Sequence, residues 1–408
     1  MKLYKVIQNF KNERLNDIEA AVRAEILAAG LKIPKGAKIA ITAGSRGVAN
    51  IAEIIKATCN TVKEMGGVPF VIPAMGSHGG ATAEGQREYI EGYGITEEFV
   101  GAEIYSSMEV VELDSEGLPH KLFMDKYAYN AYGVIAVNRV KVHTDFHGPI
   151  ESGVMKMCVI GLGKHKQALE IHSFGTYGLR ELIPPAARRV IESGKILLGI
   201  GVLENAYDET AEVRAALPKD IESMELEMIA KNRHLMPSLP ADNIDVLIVD
   251  RMGKDISGVG IDTNIVGRMR ITGEAEPETP NIKIILVDDL TEETKGNALG
   301  MGLADIITEK LRNKIDFAVT YENVLTSTFV VRGAMPLVVK DVREGLDFAL
   351  RCSGSIVSED GPRVMRIRDT LHLDEIYVSE ALAKEAALLA HVDLTSETID
   401  AFDEIWKG

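Results

Sequence analysis

The sequence predicts an α/β protein of two Rossmann-like units, with mainly parallel sheets and an active-site cleft between the units. Three observations predict it. Short apolar runs alternate with helix-length segments, so successive strands are joined by crossovers and lie parallel. That alternation breaks at Pro237-Ser238-Leu239-Pro240 and then restarts. The length, 408 residues, suits two or three domains at roughly 100–200 residues each.

Lys38–Thr42 (KIAIT) reads as the first buried strand and ends in Gly44-Ser45-Arg46-Gly47. A helical pattern runs from Val48 to Met65 and stops at Gly66-Gly67. Val68–Ile72 (VPFVI) is the next strand. Its loop, Gly76-Ser77-His78-Gly79-Gly80, leads into a helix over Thr82–Gly92, where Gly85 takes the place a capping box gives to Glu. Tyr132–Asn138 (YGVIAVN) is another buried strand and empties into Lys141-Val142-His143-Thr144-Asp145. Leu197–Leu203 adds a strand and Glu222–His234 a helix. Beyond the proline break, Ile244–Val249 and Ile282–Val287 read as strands and Ala298–Asn313 as a helix. Phe317–Thr320 and Pro336–Val339 read as short strands, and Val342–Cys352 as a helix. The predicted units are therefore 1–238 and 241–408, with a final helix, Val378–Leu389, free to pack on either.

Composition narrows the function. Lys and Arg number 45 against 61 Asp and Glu, a net charge of -16. Without a block of basic residues such a surface repels phosphodiester backbones, so no nucleic-acid partner is expected. No run approaches ~18 consecutive apolar residues, so no membrane span is expected either. The start of the chain lacks the apolar core of a secretory signal. Cys59, Cys158 and Cys352 are far apart and odd in number, which fits a reducing cytoplasm.

In parallel sheets ligands bind beyond the carboxyl ends of strands, and this rule selects four loops. In Gly44-Ser45-Arg46-Gly47 the glycines admit an anion to the backbone and Arg46 can grip it bidentately, although a solvated tight turn has the same composition. In Gly76-Ser77-His78-Gly79-Gly80 the flanking glycines leave room beside an imidazole. Arg251-Met252-Gly253-Lys254-Asp255-Ile256-Ser257-Gly258 follows the strand Ile244–Val249 and offers Lys254 to a ligand carboxylate.

The richest stretch is Lys141–His172, which holds His143, His147, His165 and His172, four of the nine histidines. Imidazole serves both acid–base catalysis near neutrality and metal ligation. Lys156 sits in the apolar run VMKMCVIGLG, where desolvation favours a nucleophilic neutral amine. Its ordinary reading is a lysine whose stem snorkels to the surface. Glu204 and Asn205, after the strand Leu197–Leu203, are weaker candidates. His120 reads as a hairpin tip, and His234, His372 and His391 as structural or exposed.

Taken in order, Arg46, His78, His143, Lys156, His172 and Lys254 resemble the lactate racemase family, whose members use a nickel-pincer nucleotide. The sixteen-residue step from Lys156 to His172 is similar to that family's step from cofactor lysine to nickel ligand. The resemblance implies a cofactor covalently attached at Lys156, with His172 as the protein ligand to nickel. It implies His78 and His143 as alternating proton carriers, with His147 as an alternative for the second. Arg46 and Lys254 would neutralise a substrate carboxylate or cofactor phosphate, and Ser45 would add a hydrogen bond. The implied activity is racemisation or epimerisation of a 2-hydroxy acid, and the implied partners are that substrate and the enzymes that make the cofactor. Gly44-Ser45-Arg46-Gly47 departs from the family's Asp-x-Thr-Arg-Pro, and Gly79 stands where an Arg usually follows the histidine. Two other readings compete: a His-cluster metal-dependent isomerase or hydrolase, and a nickel- or nucleotide-binding protein without turnover.

Overall fold

The computed structural model describes residues 1–45, 47–354 and 360–406, the side chain of residue 326 excepted. The chain divides into two units, Lys11–Met236 and Met1–Phe10 with Pro237–Gly408. The first strand, β1 (Lys2–Gln8), therefore belongs to the sheet of the C-terminal unit. This corrects the predicted boundary at residue 1. The physical reason is register: Tyr4–Ile7 pairs antiparallel with Glu375–Val378, and the other edge of the strand pairs with residues 392–400.

In Lys11–Met236 the strands are β2 (Lys38–Ala43), β3 (Val68–Pro73), β4 (Glu103–Ile104), β5 (Val110–Leu113), β6 (Leu122–Asp125), β7 (Gly133–Arg139), β8 (Ile196–Glu204) and β9 (Thr210–Ala216). Six of them form one sheet in the order β4-β3-β2-β7-β8-β9, parallel except for β9. β5 and β6 form a separate hairpin, and His120 lies buried in the connection between them. Burial on both faces explains the near-continuous apolar runs. Ala40, Ile72, Val134 and Ala136 pack on one face in a cluster shared with Val154, Ile183, Ala187, Met224 and Met228. Ile39, Ile41, Val71, Ile135 and Val137 pack on the other with Val22, Ile26, Ile54, Ile55 and Val62. Asp17 caps the helix Ile18–Ala28 by accepting from Ala20 N at 2.9 Å, and Thr82 caps Ala83–Glu91 through Gly85 N.

The strand order reverses between β2 and β7. From β2 the chain steps outward to β3 and β4, then returns to the opposite side of β2. Loops diverge at such a switch point and leave a crevice beyond the strand ends.

The C-terminal unit carries β10 (Asn243–Met252), β11 (Asn281–Leu290), β12 (Ile306–Thr308), β13 (Leu337–Val339), β14 (Val364–Ile367), β15 (Glu375–Val378) and β16 (Val392–Asp400). Among the described residues its sheet has eight strands in the order β13-β12-β11-β10-β14-β15-β1-β16, parallel from β13 to β14 and antiparallel beyond. Its switch point falls between β10 and β14. Three element expectations are corrected here. Ala298–Asn313 is not one helix: β12 fills its middle, with both neighbouring strands bonded to it, and a helix starts only at Glu309. Phe317–Thr320 opens the helix Phe317–Ser327, because Asp316 Oδ1 accepts from Ala318 N and Val319 N and starts a helical turn. The segment Val378–Leu389 ends β15 and holds only the short helix Glu380–Ala386, which packs against strands of the same unit, and β16 follows it. Among the described residues no helix is long and apolar enough to cross a membrane.

Candidate functional site

The switch point between β2 and β7 opens into a cavity of about 170 Å³ lined by Ser45, His78, Asn138, His143, Lys156 and His172, with Met75, Met157, Ile160 and Leu179 as apolar wall. Every described lining residue comes from Lys11–Met236. Ser45 follows β2, His78 follows β3, and His143 follows β7. Lys156 and His172 come from the helical stretch that starts at Val154.

The His78 loop depends on glycine. Gly76, Gly79 and Gly80 all have φ between +63° and +64°, the left-handed region that other residues adopt at a cost. His78 Nδ1 hydrogen bonds Ser45 Oγ. Buried Gln86 holds the loop from behind, donating from Nε2 to Gly76 O at 2.9 Å and His78 O at 3.1 Å. Gln86 Oε1 accepts from Lys164 Nζ at 3.3 Å, and Lys164 also donates to Pro73 O at the end of β3. Lys164 and Asp125 form an ion pair at 3.2 Å with both side chains fully buried. Removing one partner of such a pair leaves an uncompensated buried charge, at about 3–5 kcal/mol.

On the opposite loop, His143 N donates to Glu151 at 2.6 Å, and Glu151 is buried and paired with Arg233. The network sets the tautomer of His143. Asp145 N donates to Nδ1 at 3.0 Å, so Nδ1 is an acceptor and the proton of the neutral ring lies on Nε2. Nε2 stands 2.5 Å from Lys156 Nζ. The Phe146 ring covers both groups, 4.5 Å from the His143 ring and 5.9 Å from Lys156 Nζ.

Lys156 stands one turn into a helix whose first N–H groups meet Glu225. Glu225 accepts from Met155 N at 2.9 Å, and complete burial pushes its carboxyl up to about 7 against those backbone donors. Gly153 makes room for it, since a Cβ there would lie 2.3 Å from the carboxyl carbon. After Lys156 the helix widens into a π-helical segment, Met157–Gly161, a distortion common beside functional groups. It returns to α-helix at Lys164 and reaches His172.

Burial is the largest influence on His172 and drives its pKa below the ordinary 6.5; Lys156 pushes the same way and Asp145 opposes. The direction follows from burial whichever proton Lys156 carries. His172 is therefore the neutral, metal-ligating form of imidazole at neutral pH. With a folded value below the unfolded one, its contribution to stability is present above about 6.5 and is lost as pH falls through the folded value. The His172 imidazole of the apoprotein is expected to titrate below 6.5 by NMR, with the signal assigned through His172→Gln. A titration at or above that value contradicts the burial seen here.

Not every sequence candidate is gathered. Arg46 lies outside the described residues. Lys254 belongs to the C-terminal unit, where Nζ donates to Gly258 O at 2.7 Å. His147 does not line the cavity; its Nδ1 is 3.5 Å from Glu151. Glu204 is a brace, taking Ala49 N and Arg139 at 2.6 Å each. Asn205 organises the turn before β9 through Tyr207 N and Glu209 N. Among the described residues no three His, Cys, Asp or Glu side chains converge as a metal-ligand set. The supports missed from sequence are Gln86, Glu151, Lys164 and Glu225. Only Lys164 carried a visible signal, as a second lysine closing the same apolar run that singled out Lys156.

No family model and no curated protein matches the chain. Among solved structures it is similar to the lactate racemase apoprotein from Thermoanaerobacterium thermosaccharolyticum, at 14% identity and a TM-score of 0.50, over 90% of this chain and 98% of that one. At that identity the likeness is one of fold.

Proposed function

We propose that this chain is an isomerase that racemises or epimerises a 2-hydroxy acid with a nickel-pincer nucleotide. One observation carries the reading: a single cavity at a sheet's switch point collects His78, His143, Lys156 and His172. The donor set fits that cofactor. The Lys156 amine would suit covalent attachment, and the neutral His172 imidazole would serve as the protein ligand to nickel, whose remaining donors would come from the pincer. When bound, the nucleotide supplies a hydride acceptor.

The chain's own residues then handle protons and charge. One of His78 and His143 takes the proton of the 2-hydroxyl as C2 is oxidised to a transient keto acid. The other would give a proton to the carbonyl oxygen as C2 is reduced again on its opposite face, which would invert the centre. Hydride transfer avoids the very basic carbanion that direct C2 deprotonation requires. Ser45 fixes the imidazole of His78, and Arg46 and Lys254 keep the anion-neutralising role that the resemblance gives them.

The test uses full-length protein from cells that make the cofactor. Intact mass, nickel content and inversion of a panel of chiral 2-hydroxy acids are measured together. An adduct on Lys156, nickel and C2 inversion are expected. Adduct and nickel without inversion of any acid would favour a binding protein, and bound zinc without an adduct would favour the His-cluster hydrolase.

A further inference from the structure

A third of the large apolar side chains left exposed among the described residues lie in one short stretch. Eight of 24 fall between Phe317 and Val338, and no other stretch of that length outside it holds more than three. The stretch belongs to the C-terminal unit. It runs from the helix Phe317–Ser327 through the turn Val330–Gly333 to β13, the outermost strand of the sheet.

The helix is apolar on two sides. Of its described side chains only Thr320 and Val324 are buried. Phe317, Tyr321 and Leu325, spaced at i, i+4 and i+8, form a second stripe that faces water, with Leu325 73% exposed. The Phe317 and Tyr321 rings meet along it, 5.7 Å between centroids. The turn that follows lies directly against the helix, since a Cβ on Gly333 would meet Val324 Cγ2 at 2.4 Å. It carries Val330, 71% exposed, and Met335, Leu337 and Val338 take the exposed apolar run into β13. The charged residues between Phe317 and Val338 are Glu322 and Arg332, and Arg332 is fully buried. The whole net charge of -16 therefore comes from outside the stretch.

We propose that this face is the contact between two copies of the chain, the helices Phe317–Ser327 crossing about a two-fold axis with Tyr321 and Leu325 at its centre. The eight side chains expose the equivalent of about four complete ones, or ~600–800 Å² for large apolar residues. Monomers rarely leave so large an apolar patch open, and a stable interface takes about 800 Å² from each partner. A two-fold contact uses one patch twice, and among the described residues the chain offers no other apolar surface as dense for a second copy to bring. Ridges at i±4 spacing interlock when both helices present them. Two copies that each carry -16 meet with least repulsion through a face whose charges cancel. Strand addition is not the contact: β13 has three residues, Pro336 before it has no N–H, and Lys340 N after it is taken by Glu344 at 2.7 Å. This contact lies outside the nickel reading, and apoprotein suffices to test it.

Sedimentation of full-length apoprotein at about 1–100 μM is expected to show a species of twice the chain mass. It should persist in ~1 M salt, because apolar packing is not screened. Leu325→Glu and Val330→Glu should each weaken the dimer about thirtyfold or more, since each places a charge in the packed centre. Both positions are exposed in the single chain, so the variants should keep the circular dichroism of the parent. Leu388→Glu, at an exposed position of the same unit outside this face, should leave the dimer unchanged. A monomer at every concentration overturns the proposal; a lower melting temperature of the two variants would then show that the chain covers this face itself. A dimer that either variant leaves intact is built elsewhere and overturns it as well.

Discussion

Lys156→Ala protein from cofactor-producing cells is expected to show the unmodified polypeptide mass, to lose its nickel and to invert no 2-hydroxy acid. The effect should be complete because two functions fail together. The nitrogen that forms the covalent link is gone, and so is the partner that takes His143 Nε2 at 2.5 Å. Stability should change little, since Nζ faces the cavity and the helix start is held independently by Glu225. Lys156→Arg is the sharper control: it keeps a long basic side chain beside Phe146 but supplies no nucleophilic amine. Full loading of Lys156→Arg would remove the assignment of a covalent anchor.

His78→Ala should separate chemistry from loading. The ring touches Ser45 Oγ, while the loop itself is held through backbone carbonyls by Gln86. Deleting the ring therefore leaves the loop's supports in place, and adduct mass and nickel content should match the parent protein. Turnover should fall by about 10²–10⁴-fold, the usual worth of a positioned general acid–base group. An equal loss is expected from His143→Ala, with an added change in how Lys156 loads. Both directions of a racemisation must fall by the same factor, because the overall equilibrium belongs to the substrate. A loaded, fully active His78→Ala protein would end its assignment as a proton carrier.

Much of this architecture is visible in the sequence for a physical reason. Strands covered on both faces need apolar residues at every position, so β2, β3, β7 and β10 stand out as unbroken runs. The loops that follow them were legible through their Gly, His and Lys content. The misread segments are those where a local signal contradicts a larger context. Phe317–Thr320 has the β-branched and aromatic look of a strand, but Asp316 immediately before it is a helix cap. Ala298–Asn313 hides a three-residue strand whose only stabilisation is its neighbours in the sheet. Two of the cavity's supporting contacts escape a local reading because they act across long separations. Glu225 meets Met155 seventy residues away, and Lys164 reaches Gln86 across seventy-eight. Lys164 also adopts φ +56°, a left-handed conformation that a lysine does not advertise.

The position of β1 bears on how the molecule is born. This strand leaves the ribosome before the whole of Lys11–Met236, yet its two neighbours in the sheet, β15 and β16, emerge only after it. Everything between β1 and β15 must be synthesised before β1 can pair, and until then that strand has two open edges. Lys11–Met236 faces no such delay, since every strand of its sheet is complete before residue 237. The nascent chain can therefore shape the imidazole-lined cavity while the other unit is still waiting for its ends to meet.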